Sequence, residues 1–411
     1  MASENKKIEL LAPAGDLEKL KIAIIYGADA VYFGGESFSL RAGAGNLTVD
    51  EMREGIAFAH ERGKRCYLTI NIFPHNEDIG PAEKYLEEIK DLGIDGFLVS
   101  DPGMLTLLKK HIPGAEIHLS TQANMTNFVT AGFWYDLGVK RIVLARELTL
   151  EEIKTISESV PEDMEIEAFV HGAMCISYSG RCLLSNYLND RDANRGECSH
   201  PCRWKYALVE EKRPGEYIPV EEDARGTYFM NSCDLCMIEH IPDLMAAGVD
   251  SFKIEGRMKS VYYVATVVRA YRRAIDAVLG GEAELDEDIF RELTKASHRK
   301  FTTGFYYHRP TGKDQNYLTS DYEREYSFLG LVKATKDDEG YALVQQRNKI
   351  VVGDEVEVFG PSAGFFTQTI TEMLDAETGE SLSEAPHPKQ MIKIRFDDEV
   401  GENFILRKRT V

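Results

Sequence analysis

Eight short runs of β-branched and aliphatic residues recur between Ile8 and Glu255, and the stretches between most of them carry helical periodicity. No other feature constrains the fold as tightly. The runs are Ile8–Ala12, Ala30–Phe33, Cys66–Ile70, Gly96–Ser100, Glu116–Ser120, Arg141–Ala145, Glu165–Val170 and Ser251–Glu255. Segments between them, such as Asp16–Tyr26 and Thr48–Arg62, place apolar residues three and four apart and end near Gly, as amphipathic crossover helices do. Strands that are apolar almost throughout are buried on both faces, which is the condition of a parallel sheet covered by helices. Eight such units predict an α/β fold, a closed TIM-like (β/α)8 barrel, with chemistry at the C-terminal strand ends. A doubly wound open sheet is the competing architecture.

The residues after each run support the barrel reading, because polar groups gather there: Asn71, Thr121-Gln122, Arg146-Glu147, His171 and Gly256-Arg257 among them. The interval from Gly172 to Asp250 is too long for an ordinary crossover and predicts an insertion over the barrel mouth. With 411 residues, the chain has room for two or three domains. The barrel with its insertion at 172–250 is expected over residues 1–280, and a helix and linker packing on it over 281–325. A small all-β barrel domain is expected over 326–411. Its strands are expected at Phe328–Ala334, Tyr341–Gln346, Asp354–Phe359, Phe365–Met373, Met391–Phe396 and Phe404–Arg407, separated by turn signals such as Asp337-Asp338-Glu339-Gly340.

Six of the seven cysteines lie inside the insertion, and four of them read Cys175-x6-Cys182-x15-Cys198-x3-Cys202. The charged N-terminus is no signal peptide, and no apolar run approaches the ~20 residues of a membrane span. An odd number of cysteines at this density is unlike a disulfide scaffold, so reduced thiols in a soluble cytoplasmic protein with no membrane partner are expected. Four grouped thiols then point to ligation. Their spacing is neither a ferredoxin run nor a zinc ribbon, and it leaves zinc and an iron-sulfur cluster both open. Cys66, inside the third run, reads as a small buried hydrophobe.

The stretch Glu167-Ala168-Phe169-Val170-His171-Gly172-Ala173-Met174-Cys175, with Gly180-Arg181-Cys182-Leu183-Leu184-Ser185, resembles the signature of the peptidase U32 family, the collagenase-like proteins. Arg195–Trp204, Met230-Asn231-Ser232 and Lys253-Ile254-Glu255-Gly256-Arg257-Met258-Lys259-Ser260 extend the resemblance over nearly the whole chain. Within that family the chain is most similar to the prephenate-dependent tRNA uridine hydroxylases, which install 5-hydroxyuridine at the wobble position. The resemblance implies a [4Fe-4S] cluster on Cys175, Cys182, Cys198 and Cys202, with Cys236 as the alternative fourth ligand. Cys233 stands where a lysine is expected and reads as an incidental thiol. Prephenate as cosubstrate, a tRNA anticodon stem-loop as substrate and, for some members, a paralogous U32 partner are also implied. The alternative that the family name carries is a collagenase-like endopeptidase; a zinc-stapled RNA-binding scaffold is the non-enzymatic one.

Net charge is −20, so any nucleic-acid contact must be a local basic patch. Arg181, Arg191, Arg195, Arg203 and Lys205 in the insertion, with Arg257 and Lys259 after the eighth run, are the candidates for prephenate carboxylates or RNA phosphates. Their bland alternative is a solvated rim paired with Asp190, Asp192 and Glu197. Tyr178, Tyr187, Trp204 and Tyr206 are available for base stacking. Arg257, Glu255 and Tyr178 are the candidate catalytic residues. H-E-x-x-H, G-x-S-x-G and a P-loop are all missing, and His171 four residues before Cys175 is the nearest thing to a thiol-base pair.

Overall fold

The computed structural model describes residues 8–39, 45–175, 177–178, 181–203, 207–209, 217–219, 233–282, 285–309, 322–362 and 364–410. Met230-Asn231-Ser232 of the signature, Trp204, Lys205 and Tyr206 lie outside them, and so do the side chains of Tyr187 and Arg203.

Eight parallel strands close into a barrel: β1 (Glu9–Ala14), β2 (Ala30–Gly34), β3 (Arg65–Thr69), β4 (Gly96–Val99), β5 (Ile117–Leu119), β6 (Arg141–Val143), β7 (Glu165–Ala173) and β8 (Ser251–Ile254). Closure is explicit in the register, since Ser251 of β8 stands opposite both Glu9 of β1 and Glu167 of β7. The competing open sheet is thereby excluded.

Crossover helices α1 (Leu17–Ile25), α2 (Val49–His60), α3 (Asn76–Ile89), α4 (Pro102–His111), α5 (Phe128–Asp136) and α6 (Leu150–Ser159) surround the strands, and α7 (Val261–Leu279) follows β8. Their starts are set locally. Thr48 and Thr149 accept from the N–H three residues on while Glu51 and Glu152 bond back, two full capping boxes, each cap contributing about 1 kcal/mol. Helix α7 buries most of its length because it is wedged between the barrel and the C-terminal domain.

Below the mouth, the barrel interior is not purely apolar. Arg141, buried on β6, reaches Glu9 and Glu165 at 2.5 Å and Glu167 at 3.2 Å, and Glu167 in turn accepts from Lys253 at 2.6 Å. Charges this deep persist only when paired, and this chain of ion pairs supplies the partners.

The C-terminal domain is built on one antiparallel sheet of seven strands: β9 (Tyr326–Ala334), β10 (Tyr341–Gln346), β11 (Glu355–Phe359), β12 (Phe365–Thr369), β13 (Met373–Asp375), β14 (Met391–Arg395) and β15 (Ile405–Arg409). The spatial order is β12-β11-β15-β9-β10-β14-β13, a half-barrel. The run read as one strand, Phe365–Met373, is two: β12 and the start of β13 sit at opposite edges, so the chain crosses from one edge to the other between them. This domain packs on the barrel through Leu331, Phe359 and Ile405, which join the barrel's own core. Helix α8 (Glu287–Thr294) and Lys295 complete the joint: buried Arg407 meets Glu292 at 2.8 Å and Glu357 at 2.7 Å, and Lys295 bridges the same two carboxylates at 2.6 and 2.9 Å. Among the described residues no helix is long and apolar enough to cross a membrane.

Candidate active site at the barrel mouth

A cavity of about 680 Å³ opens at the C-terminal end of the barrel. Strand ends supply Thr69, Asn71, Arg146, Lys253, Glu255 and Arg257, and Tyr322 and Phe328 enter from the side of the C-terminal domain. The roof is the insertion after β7, which contributes Cys175, Cys182, Cys198 and Cys202. Sequence placed these four over the mouth, and the structure brings them to one enclosure with the strand-end residues.

The roof is fastened at several points. Arg181 donates to the Gln122 carbonyl at 2.7 Å and lies 4.8 Å from the Phe73 ring. Phe73 N–H donates to the Asn194 carbonyl, and Arg195 forks onto both oxygens of Asp78 in the first turn of α3 at 2.9 and 3.0 Å. A bidentate guanidinium–carboxylate pair fixes orientation as well as distance. The bland alternative of a rim paired with Asp190, Asp192 and Glu197 does not describe Arg195, whose fork goes to a residue of the barrel. Arg181 and Arg195 are engaged in holding the roof, whereas Arg191 is exposed.

Within the roof, Asn194 clamps the Cys182 backbone from both sides, accepting from its N–H at 3.1 Å and donating to its carbonyl at 3.0 Å. Ser199 is tied to Ser185 at 2.8 Å and to Asn189 at 2.9 Å. These bonds draw the Cys182 and Cys198 segments together. Backbone N–H groups also aim at sulfur: Leu184 N–H at Cys182 Sγ, 3.3 Å away, and Ser177 N–H at Cys175. Desolvation pushes the Cys175 thiol up, the Ser177 N–H pulls it down, and nearby Cys182 and Cys198 add to the rise.

Among the described residues, no three His, Cys, Asp or Glu side chains converge closely enough to hold one metal ion. A zinc tetrahedron with Zn–S near 2.3 Å would bring its sulfurs to within roughly 4 Å of one another. A [4Fe-4S] cluster binds each thiolate through a different iron and needs a wider ring of donors, with N–H groups on the sulfurs. Four thiols line one cavity, and two of them receive backbone N–H bonds of the kind that such a cluster's sulfurs use.

Cys236 is elsewhere. The short strand Asp234–Cys236 runs antiparallel to the end of β7, with Cys236 opposite His171, and Cys233 and Cys236 line a separate cavity of about 330 Å³. Burial pushes the Cys236 thiol up to about 12. The structure groups Cys202, and not Cys236, with Cys175, Cys182 and Cys198.

The remaining expected residues divide. Arg257 is buried in the cavity wall, donating to Ser39 Oγ at 2.6 Å, Thr69 Oγ1 at 3.2 Å and Asn46 Oδ1 at 2.5 Å. Glu255 faces the same cavity, 3.5 Å from Arg146 Nη2. Lys259 lines it too, 3.9 Å from the Tyr322 ring, its ammonium pKa lowered by burial. Tyr178 is half exposed and does not line the cavity. Sequence reasoning set Arg146 on the rim and Lys253 in the signature but gave neither a role. Arg146 donates to the Ala173 carbonyl at 2.9 Å and lies 3.9 Å from the Phe169 ring; its signal was its place just after the sixth run. The signal for Lys253 was a lone charge inside an apolar barrel strand.

The relatives of the chain agree with this anatomy. The model of peptidase family U32 matches residues 15–316, and that of the U32 C-terminal domain matches 324–407. The chain belongs to peptidase family U32. It is 44% identical over 406 residues to "tRNA hydroxylation protein P1" of Bacillus subtilis, covering 98% of this chain and 95% of that one. "tRNA hydroxylation protein P" of Escherichia coli is 38% identical, covering 98% and 97%. A protein of Porphyromonas gingivalis named "Collagenase" is 33% identical, covering 89% of each.

The geometry of this U32 chain bears on thiol hydrolysis. His171 is buried against Tyr271, Tyr263 and Phe301 and is absent from the cavity lining. Desolvation, with Lys259 and His298 adding to it, lowers its pKa to about 3. The cause of its direction is a slip in register between Lys253 and Ile254, which turns the end of β7. A base that faces the helices and stays neutral is not placed to activate Cys175.

Proposed function

We infer that the chain hydroxylates the wobble uridine of tRNA at carbon 5, with prephenate as cosubstrate and a [4Fe-4S] cluster held by Cys175, Cys182, Cys198 and Cys202. The observation that carries this reading is the cavity itself, in which four thiols from one insertion face strand-end cations across a barrel mouth. The names of the bacterial relatives support RNA hydroxylation as the class of activity. A cluster at this position would supply electron transfer or Lewis acidity beside the reacting centre. The chain's own residues would do the binding: Arg146, Arg257 and Lys259 are suited to the two carboxylates of prephenate. Exposed Met258 lines the mouth, on the face that a tRNA anticodon stem-loop would approach.

Two measurements test the reading. Protein purified without oxygen should be brown, with broad absorbance near roughly 400 nm from iron-sulfur charge transfer, and Cys175→Ala should lose it; a colourless protein with stoichiometric zinc would sink the cluster. Nucleoside mass spectrometry of bulk tRNA from a deletion strain, grown without oxygen and lacking paralogues, should show loss of 5-hydroxyuridine derivatives. Unchanged levels would remove the hydroxylase assignment. The endopeptidase alternative predicts cleavage of gelatin by the colourless protein as well as by the brown one.

A further inference from the structure

Lys253 is the least expected side chain of the barrel. It projects from the middle of β8 to the floor of the mouth cavity, is 3% exposed, and holds its Nζ 2.6 Å from Glu167 Oε1. The rings of Tyr32 and Phe169 flank the ammonium at 4.3 and 5.5 Å. Barrel interiors are ordinarily filled by branched aliphatics. A lysine there carries a desolvation penalty, which at a cavity wall marks a functional candidate.

Burial lowers the Lys253 pKa, and Arg141 below it acts in the same direction, while Glu167 and Glu255 pull against them; the net shift is downward. A desolvated amine, one carboxylate placed to carry its proton, and one side open to a cavity are what an imine-forming lysine needs. Arg146 and Arg257 line the same cavity and complement a carboxylate. A carboxylate and an electrophilic carbonyl in one small molecule describe a 2-oxo acid.

We propose that Lys253 forms an imine with the carbonyl of a 2-oxo carboxylic acid bound at the floor of the barrel mouth. The proposal deepens the reading above and rests on it in one respect, that prephenate is itself a 2-oxo acid. In the first step Glu167 takes a proton from the Lys253 ammonium, and the free amine adds to carbon 2 to give a carbinolamine. Glu167 then returns the proton to the hydroxyl, which leaves as water. The products are a protonated imine and an ionised Glu167, so charge and atoms balance with no external oxidant or reductant.

Full-length protein incubated with pyruvate or phenylpyruvate and then borohydride should gain one reduced adduct, and peptide mapping should place it on Lys253. Lys253→Arg, which keeps a cation beside Glu167, should abolish the adduct; Lys154→Arg, on the outer face of α6, should leave it intact. Glu167→Gln should slow trapping by about 10²-fold, the usual worth of a positioned acid-base group. No adduct on the wild-type protein, or one spread over surface lysines that persists in Lys253→Arg, overturns the proposal. Hydroxylation of tRNA measured on the same preparation separates the two readings. Activity without an adduct removes the imine and leaves the hydroxylase standing; an adduct without activity does the reverse.

Discussion

Replacing Gly34 by alanine would put a methyl group where the Arg257 guanidinium now lies. The added Cβ would stand 2.2 Å from Arg257 Nη2 and 2.4 Å from Ser39 Oγ, where real Cβ contacts essentially never fall under 3.0 Å. Gly34 ends β2 in the rigid barrel wall, so the side chains must give way. A retreat approaching an ångström takes the guanidinium off Asn46 and Ser39, which it now meets at 2.5 and 2.6 Å. If Arg257 orients a carboxylate, a displacement of that size lowers kcat/KM for tRNA hydroxylation by about 10²-fold, equivalent to about 2.7 kcal/mol in the transition state. Overpacking should also lower stability by about 1–3 kcal/mol. Steady-state kinetics and urea unfolding of the same variant read both. Wild-type kcat/KM in a folded Gly34→Ala protein would refute the placement of Arg257 in the binding wall.

Arg407→Met leaves Glu292 and Glu357 facing each other with only Lys295 and, 3.7 Å from Glu292, Arg269 to offset them, and should cost about 3–5 kcal/mol in urea unfolding. Burial alone would raise the Glu357 carboxyl, but Lys295 and Arg407 outweigh it and hold it below its ordinary 4.5. The wild-type advantage is therefore complete above pH 4.5 and should narrow as pH falls through the lower folded value. His171 behaves in the opposite chemical sense with the same slope: its folded pKa of about 3 against 6.5 means that below pH 6.5 the unfolded chain gains a proton the folded one refuses. Stability should fall by up to about 1.4 kcal/mol per pH unit there, and His171→Gln should flatten that decline; an unchanged pH profile would contradict the buried neutral imidazole. Gly132→Ala in α5, where a Cβ meets nothing within 4 Å, should stabilise by about 0.5–1 kcal/mol in thermal unfolding.

The barrel was legible because its strands are apolar throughout, and that pattern survives every local perturbation. All eight runs became strands, with ends shifted by a few residues at most. The mouth cysteines were legible for a similar reason: one insertion carries them, and its position after β7 dictates what it covers. Lys253 escaped attention because its meaning depends on Glu167, a residue 86 positions away whose side chain it meets only after closure. The burial of His171 was not legible, because alternation along β7 points it toward the mouth and the slip beside Ile254 shifts the register there. In the C-terminal domain, Ile350–Val351 and Glu384–Ala385 pair as two-residue strands, too short to leave a periodic trace. The edge-to-edge crossing inside Phe365–Met373 is equally silent, since apolar spacing runs on through it.

The fork of Arg195 on Asp78 ties a residue of the roof to a helix 117 positions earlier in the chain. The four thiols therefore acquire a common enclosure only after β3, α3 and β7 have taken their places in one ring. Linkage makes the dependence mutual, because whatever occupies the thiols in the finished fold stabilises the ring by mass action. Biogenesis and durability of the barrel are thus set in part by the occupancy of its own lid.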